Sequence, residues 1–113
     1  MDLFAEYMKE REGCETLVTE DGFLTAKVIQ EDDNNIFFIN DFFVAESVRK
    51  KRSSAIKLFN QAKNTAKKLG CIKMRGLISI DTLNATESLK ANLYYGYKVI
   101  AAHENIIYVE IEL

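Results

Sequence analysis

Residues 36–44 read Ile-Phe-Phe-Ile-Asn-Asp-Phe-Phe-Val, a run too apolar on both faces to be a half-exposed strand. Such a run belongs in the centre of a sheet, and the residues after it constrain how the sheet continues. Beyond a loop at 45–52, Ala55, Leu58, Phe59, Ala62, Ala66 and Leu69 recur at helical spacing until Gly70 ends the pattern. Residues 72–80 then read as a second buried strand. A helix of this length between two buried strands is the usual connection for a parallel pair, because a tight turn cannot join parallel neighbours. The sequence therefore predicts a βαβ unit: central strand 35–44, helix 53–69, parallel strand 72–80.

The flanking segments extend this unit on both sides. Leu3, Phe4, Tyr7 and Met8 recur at helical spacing between Asp2 and Gly13, which predicts a short amphipathic helix. Residues 16–19 and 23–30 are rich in β-branched side chains and are joined through Asp21-Gly22, a pair suited to a hairpin turn. An acidic turn at 31–35 leads into the central strand. Past the βαβ unit, Asn84 with Glu87 has the spacing of a capping box for a last helix ending near Tyr94, before Gly96. Residues 97–102 and 105–113 form a closing hairpin, with Ile107, Val109, Ile111 and Leu113 alternating toward one face. The predicted order is α-β-β-β-α-β-α-β-β, an α/β (α+β) chain with a mixed sheet. Proline is absent, so helix starts rely on Ser, Asn or Asp caps, with Ser53 or Ser54 serving the central helix.

A chain of 113 residues is expected to form one domain spanning 1–113, and seven Phe and five Tyr supply bulk for a small core. No apolar run approaches the roughly 18 residues needed to cross a bilayer, and acids punctuate the first twenty residues, so the chain reads as cytoplasmic and without membrane partners. Cys14 and Cys71 lack metal-ligand spacing and read as ordinary reduced thiols. The net charge of -2 conceals a segregation. Residues 1–46 hold 12 acids and 3 bases, residues 49–75 hold 10 bases and no acid, and residues 76–113 hold 5 acids and 2 bases.

The start of the central helix concentrates the chemistry. A helix beginning at the carboxyl end of a central strand presents unpaired backbone N–H groups in the crevice where open α/β sheets hold ligands. Arg49, Lys50, Lys51 and Arg52 crowd that end, where the helix dipole disfavours cations by about 0.3–1 kcal/mol each. A phosphate would satisfy both the bases and the amides, and small Ser53, Ser54 and Ala55 would let it approach. Four solvated bases on a surface loop are the alternative. Asp41 and Glu46 stand where a general base could sit, or are ordinary solvated acids. His103 lies in a surface turn without a second ligand. The basic segment also admits a nucleic-acid-binding domain, though nucleic acid is disfavoured as a partner because no motif of that kind accompanies it.

Two stretches resemble a known family. Lys50-Lys51-Arg52-Ser53-Ser54-Ala55, followed by Leu58-Phe59, is similar to the Arg/Gln-x-x-Gly-x-Gly/Ala loop and helix of the Gcn5-related N-acetyltransferase (GNAT) family. The segment from Asn84 to Gly96-Tyr97 is similar to the family's Asn-x-x-Ala-x-x-Leu-Tyr-x-x-x-Gly-Phe, and the order of elements matches over nearly the whole chain. Lys50 replaces the first Arg, Ser53 the first Gly, and the family's opening strand has no counterpart. The resemblance implies acetyl-coenzyme A (acetyl-CoA) as cofactor, with its pyrophosphate at Lys50, Lys51, Arg52, Ser53, Ser54 and Ala55 and its pantetheine arm along Phe43 and Val44. Asn84 and Asn92 are the further cofactor-side positions. It implies N-acetylation of an unidentified amine, or a catalytically inactive binding or assembly protein of the same fold. Asn92 stands where the family places the Tyr that protonates the departing thiolate, and no catalytic residue is carried over. An exposed final strand allows a homodimer.

Overall fold

The computed structural model describes residues 2–48 and 52–113. The elements are α1 (Asp2–Glu12), β1 (Glu15–Val18), β2 (Gly22–Glu31), β3 (Asn34–Val44), a 3-10 turn (Glu46–Val48), α2 (Arg52–Lys68), β4 (Cys71–Ser79), α3 (Ala85–Tyr94), β5 (Lys98–His103) and β6 (Ile106–Glu112). The predicted order is therefore observed, with the 3-10 turn added inside the expected loop.

The strands make one sheet in the order β1-β2-β3-β4-β6-β5. The β3–β4 pair is parallel and every other pair is antiparallel. The β2–β3 turn consists of Asp32 and Asp33, with φ of 52° and 66°. Left-handed backbone at both positions matches the right-handed twist of a two-residue hairpin, and Asp tolerates it better than most residues. The final strand is not the edge: β6 inserts between β4 and β5, leaving β5 outermost and exposed along its length.

One face of the sheet carries the core. Leu24, Ala26, Phe37, Ile39, Met74, Ile78 and Val109 meet Leu58, Phe59, Ala62 and Ala66 of α2, with Leu89 and Tyr95 from the α3 region packed against them. Phe59 links the two helices, its ring 5.0 Å from Tyr95 and 5.7 Å from Tyr97. The expected inward alternation of Ile107, Val109, Ile111 and Leu113 is present in β6. Cys14 and Cys71 are both buried and are not joined in a disulfide.

The opposite face mixes apolar side chains, Ile36 buried among them, with a cluster of charged ones. Arg75 forks onto Glu31, with Nη1 donating to Oε2 at 2.8 Å and Nη2 to Oε1 at 3.1 Å, while its Nε donates to Glu110 Oε2 at 2.9 Å. Lys73 Nζ reaches the other oxygen of Glu110 at 2.9 Å. Burial alone would raise the Glu110 carboxyl, but hydrogen bonds from Lys73 and Arg75 outweigh it and hold the group below its usual 4.5. The Arg75 hydrogen bond likewise holds Glu31 below that value.

Three expectations change. Burial of the run at 36–44 is interrupted after Ile39, with Phe42 and Phe43 41% and 45% exposed before Val44 is buried again. Leu77 is exposed because α2 and α3 cover the other face of β4, Ile72 is the extra residue at the β3–β4 register shift, and Ile80 lies past the end of the strand. In α1 the apolar stripe is not buried as such, since Leu3 and Tyr7 are exposed. Among the described residues, no helix is long and apolar enough to cross a membrane.

Candidate functional site

The parallel ladder between β3 and β4 runs from Asn35↔Cys71 to Ile39↔Gly76 and stops there. Both strands continue, β3 held by β2 up to Gly22↔Val44 and β4 held by β6 up to Ser79↔Ile106. Two neighbours that stay paired to their outer partners while losing each other must splay, so a crevice opens at their carboxyl ends.

The cause is local. Thr25 pairs with Asp41 and Ala26 with Ile39, which leaves Asn40 as one extra residue in β3. A bulge of this kind bends the strand and re-aims the side chains beyond it. Past the bulge, Phe42 and Val44 share the face of Leu24, and Asp41 and Phe43 share the face of Thr25 and Phe23. Asp41 is held in place by Thr25, whose hydroxyl donates to Oδ2 at 2.6 Å. Phe23 and Phe43 stack with centroids 5.7 Å apart.

The β1–β2 turn clasps the mouth of this crevice. Asp21 O accepts from the Ala45 amide at 2.7 Å, and Asp21 Oδ2 accepts from Ser54 Oγ at 3.0 Å. Thr19 N donates to Gly22 O at 2.9 Å and closes the turn. Only glycine fits at 22, because a Cβ there would lie 2.2 Å from the Phe43 carbonyl oxygen. The clasp brings an acid to the start of α2, where the dipole favours it. The sequence marked Asp21-Gly22 as a turn and gave no sign of its partners across 33 residues.

Of the expected cofactor-side residues, Phe43 and Val44 end β3 on one side of the crevice mouth, and Ser53, Ser54 and Ala55 form the first turn of α2 on the other. Ser54 is bonded to Asp21 rather than capping, and α2 starts at Arg52, so neither serine holds the cap position. Arg49, Lys50 and Lys51 lie outside the described residues, as does the side chain of Arg52. Asn84 occupies the N-cap of α3 but makes no side-chain cap bond. Its φ of -107° and ψ of 23° depart from the extended backbone that points a cap side chain at the helix. Asn92 donates from Nδ2 to Ser88 O at 2.7 Å and so is turned onto its own helix. Glu46 opens the 3-10 turn after the crevice, and His103 sits at the exposed end of β5, 3.7 Å from Glu104.

Solved structures share this architecture. PaiA N-acetyltransferase from Thermoplasma acidophilum, in complex with coenzyme A, superposes with a TM-score of 0.74 at 15% identity, over 99% of this chain and 70% of that one. A Bacillus subtilis acetyltransferase in complex with CoA gives 0.68 at 18%, over 99% and 86%. Arabidopsis thaliana NAA60 with a bisubstrate analogue gives 0.68 at 14%, over 82% and 65%. This chain has the Gcn5-related N-acetyltransferase fold. It spans 65% of the NAA60 chain and 60% of the chain matched in the NatC complex. No protein-family model matches the sequence, and no curated protein matches it. Within the GNAT fold, the splayed pair and the bulge at Asn40 lie at the carboxyl end of β3, and α2 starts at Arg52.

Three tyrosines follow Asn92 closely in the sequence. Tyr95 is stacked on Phe59, and Tyr97 is buried, which pushes its hydroxyl well above the usual phenol range. Tyr94 is mostly exposed, at 67%.

Proposed function

We propose that the chain is an N-acetyltransferase that takes its acetyl group from acetyl-CoA and delivers it to an amine. The observation that carries this reading is the ladder that stops at Ile39↔Gly76 while both strands run on, because the opening exposes a strand edge at residues 40–42. An extended, amide-bearing ligand can pair with such an edge as an added strand would. The residues fit the cofactor. The β3 edge suits the pantetheine amides, the first turn of α2 suits the pyrophosphate, and Lys50, Lys51 and Arg52 supply compensating charge.

When bound, acetyl-CoA supplies the acyl group as a thioester. The chain's own work is to position and to move protons. Asp41, fixed by Thr25, lies on the crevice segment of β3 and can take the proton that an ammonium must lose before its nitrogen attacks. Donation from Thr25 also orients the carboxylate oxygen that remains. The bulge leaves Asn40 without a partner residue in β2, and a backbone N–H freed there can polarise a carbonyl. Asn92, bonded to its own helix, offers no acid for a leaving thiolate, and water would supply that proton.

Isothermal titration with acetyl-CoA at low and at moderate salt tests binding, and thiol release in the presence of a primary amine tests turnover. Saturable binding that weakens with salt, together with thiol release, is expected; absence of binding overturns the reading. Lys50→Ala with Arg52→Ala should weaken binding several-fold and leave the melting temperature in place. One observation favours a second reading, a GNAT-fold protein that binds acetyl-CoA without turning it over: Asn92 in the tyrosine's place, bonded to its own helix. Binding without thiol release would select it.

A further inference from the structure

On the face of the sheet away from α2, two rows of side chains cross β1, β2 and β3 at the wide end of the crevice. Val18, Phe23 and Phe43 form one, and Thr16, Thr25 and Asp41 the next. Partners in register share a face, and rows two residues apart are separated by roughly 7 Å. The first row and the β1–β2 turn enclose a shallow cavity of about 290 Å³ that reaches Ala45. Its walls are mostly apolar, and among the described residues its ionisable groups are Glu20 and Asp21.

We propose that this cavity binds the acceptor and that the acceptor is a primary alkylamine with an apolar body, a proposal that rests on the acetyltransferase reading for its role. Val18, Phe23 and Phe43 offer a floor for methylene or aryl groups, and the tilted Phe pair adds ring faces that attract a cation. The ammonium end then lies one row further along, at Asp41, whose carboxylate has already accepted the Thr25 hydroxyl and is oriented by it. The spacing of the two rows matches a nitrogen separated from its apolar body by a few bonds. Charge disfavours an anionic acceptor, which would meet Glu20, Asp21 and Asp41 together. Phe23, Phe43 and Asp41 lie on the sheet face away from α2, and Asp21 joins the cavity rim to the start of α2 through Ser54.

The apo protein provides the test. In a 15N-labelled sample titrated with n-hexylamine, the amides of Gly22, Phe23, Phe43 and Ala45 should shift saturably, while n-hexanoate leaves them unmoved. Val18→Trp, which fills the cavity from an exposed position, should abolish the shifts. Asp41→Asn should weaken n-hexylamine binding several-fold whether or not the tryptophan variant folds. Absent shifts, equal response to n-hexanoate, or unchanged affinity in Asp41→Asn would each overturn the proposal. None of these readouts uses acetyl-CoA, so failure here leaves the cofactor reading intact, and failure of cofactor binding leaves the amine site to be judged by its own titration.

Discussion

One face of the sheet is closed by α2 and α3 over aliphatic and aromatic side chains; the other is held mainly by Arg75, Lys73, Glu31 and Glu110 reaching across the strands. Both faces are built from the same six strands, yet they respond to different variables. Burial of apolar area depends little on pH or salt, whereas ion pairs at a partly wetted surface depend on both. The two faces also divide the labour. The apolar face anchors β3 and β4 up to Ile39 and Gly76, and the charged face is left open where Asp41 and Phe43 emerge. A sheet that must part its two central strands needs a firm core on one side of the parting, and α2 supplies it.

The sharpest way to break the comparison is to damage each face by one residue. Phe37 is fully buried in the α2 face, so Phe37→Ala should lose about 3–5 kcal/mol. That is a large part of the roughly 5–15 kcal/mol that keeps a domain folded, and urea denaturation should find the variant partly or wholly unfolded at neutral pH. If the loss were nearer 1 kcal/mol, the α2 face would not be the anchor described.

Arg75→Met probes the other face and should cost less, about 1–3 kcal/mol, because Glu110 keeps Lys73 while losing its second partner. The pH dependence separates this variant from ordinary packing loss. Glu31 and Glu110 are both held below 4.5 in the folded chain, so their contribution is fully present above pH 4.5 and is lost as pH falls through their folded values. Wild-type stability should therefore drop as pH falls below 4.5, and Arg75→Met should flatten that drop. Phe37→Ala, by contrast, should leave the slope as it is. Equal slopes in wild type and Arg75→Met would remove the electrostatic account of the open face.

How far these features were legible in the sequence follows from their range. The βαβ unit and the closing hairpin were written in periodicity, which is local, and α2 begins within one residue of its expected start at 53. The bulge at Asn40 was not legible, since an extra residue exists only relative to the strand opposite. Nor were the clasp from Asp21 to Ser54 or the fork from Arg75 to Glu31, which join residues 33 and 44 apart. Exposure of Phe42 and Phe43 was misread because an apolar run carries no mark of where its cover ends. The Asn84–Glu87 pattern shows the converse failure: the spacing is present, but the backbone at Asn84 aims the side chain away from the helix.

A finer test of the open face lies at Thr16, whose hydroxyl is buried without a hydrogen-bond partner. Thr16→Val keeps the branched shape and removes the unsatisfied group, so it should gain about 1 kcal/mol in urea denaturation, equally at neutral and acid pH. Loss of stability would mean that the hydroxyl has a partner such as water.

The smallest effect is expected at the turn that delivers Glu31 to Arg75. Asp33 adopts a φ of 66°, a conformation that costs an L-residue energy and costs glycine none. Asp33→Gly relieves that strain but loosens the unfolded chain, and the two changes oppose each other. Asp is among the residues that tolerate left-handed backbone, so the relief is modest and the net gain should be about 0.5 kcal/mol or less. The acid slope is the informative readout. Glu31 pairs with Asn34 in the ladder and is forked to Arg75, so it is fixed by the strand and by its partner rather than by Asp33. The slope below pH 4.5 should therefore match wild type, and a flattened slope would show that the turn, not the ladder, sets the register of the charged face.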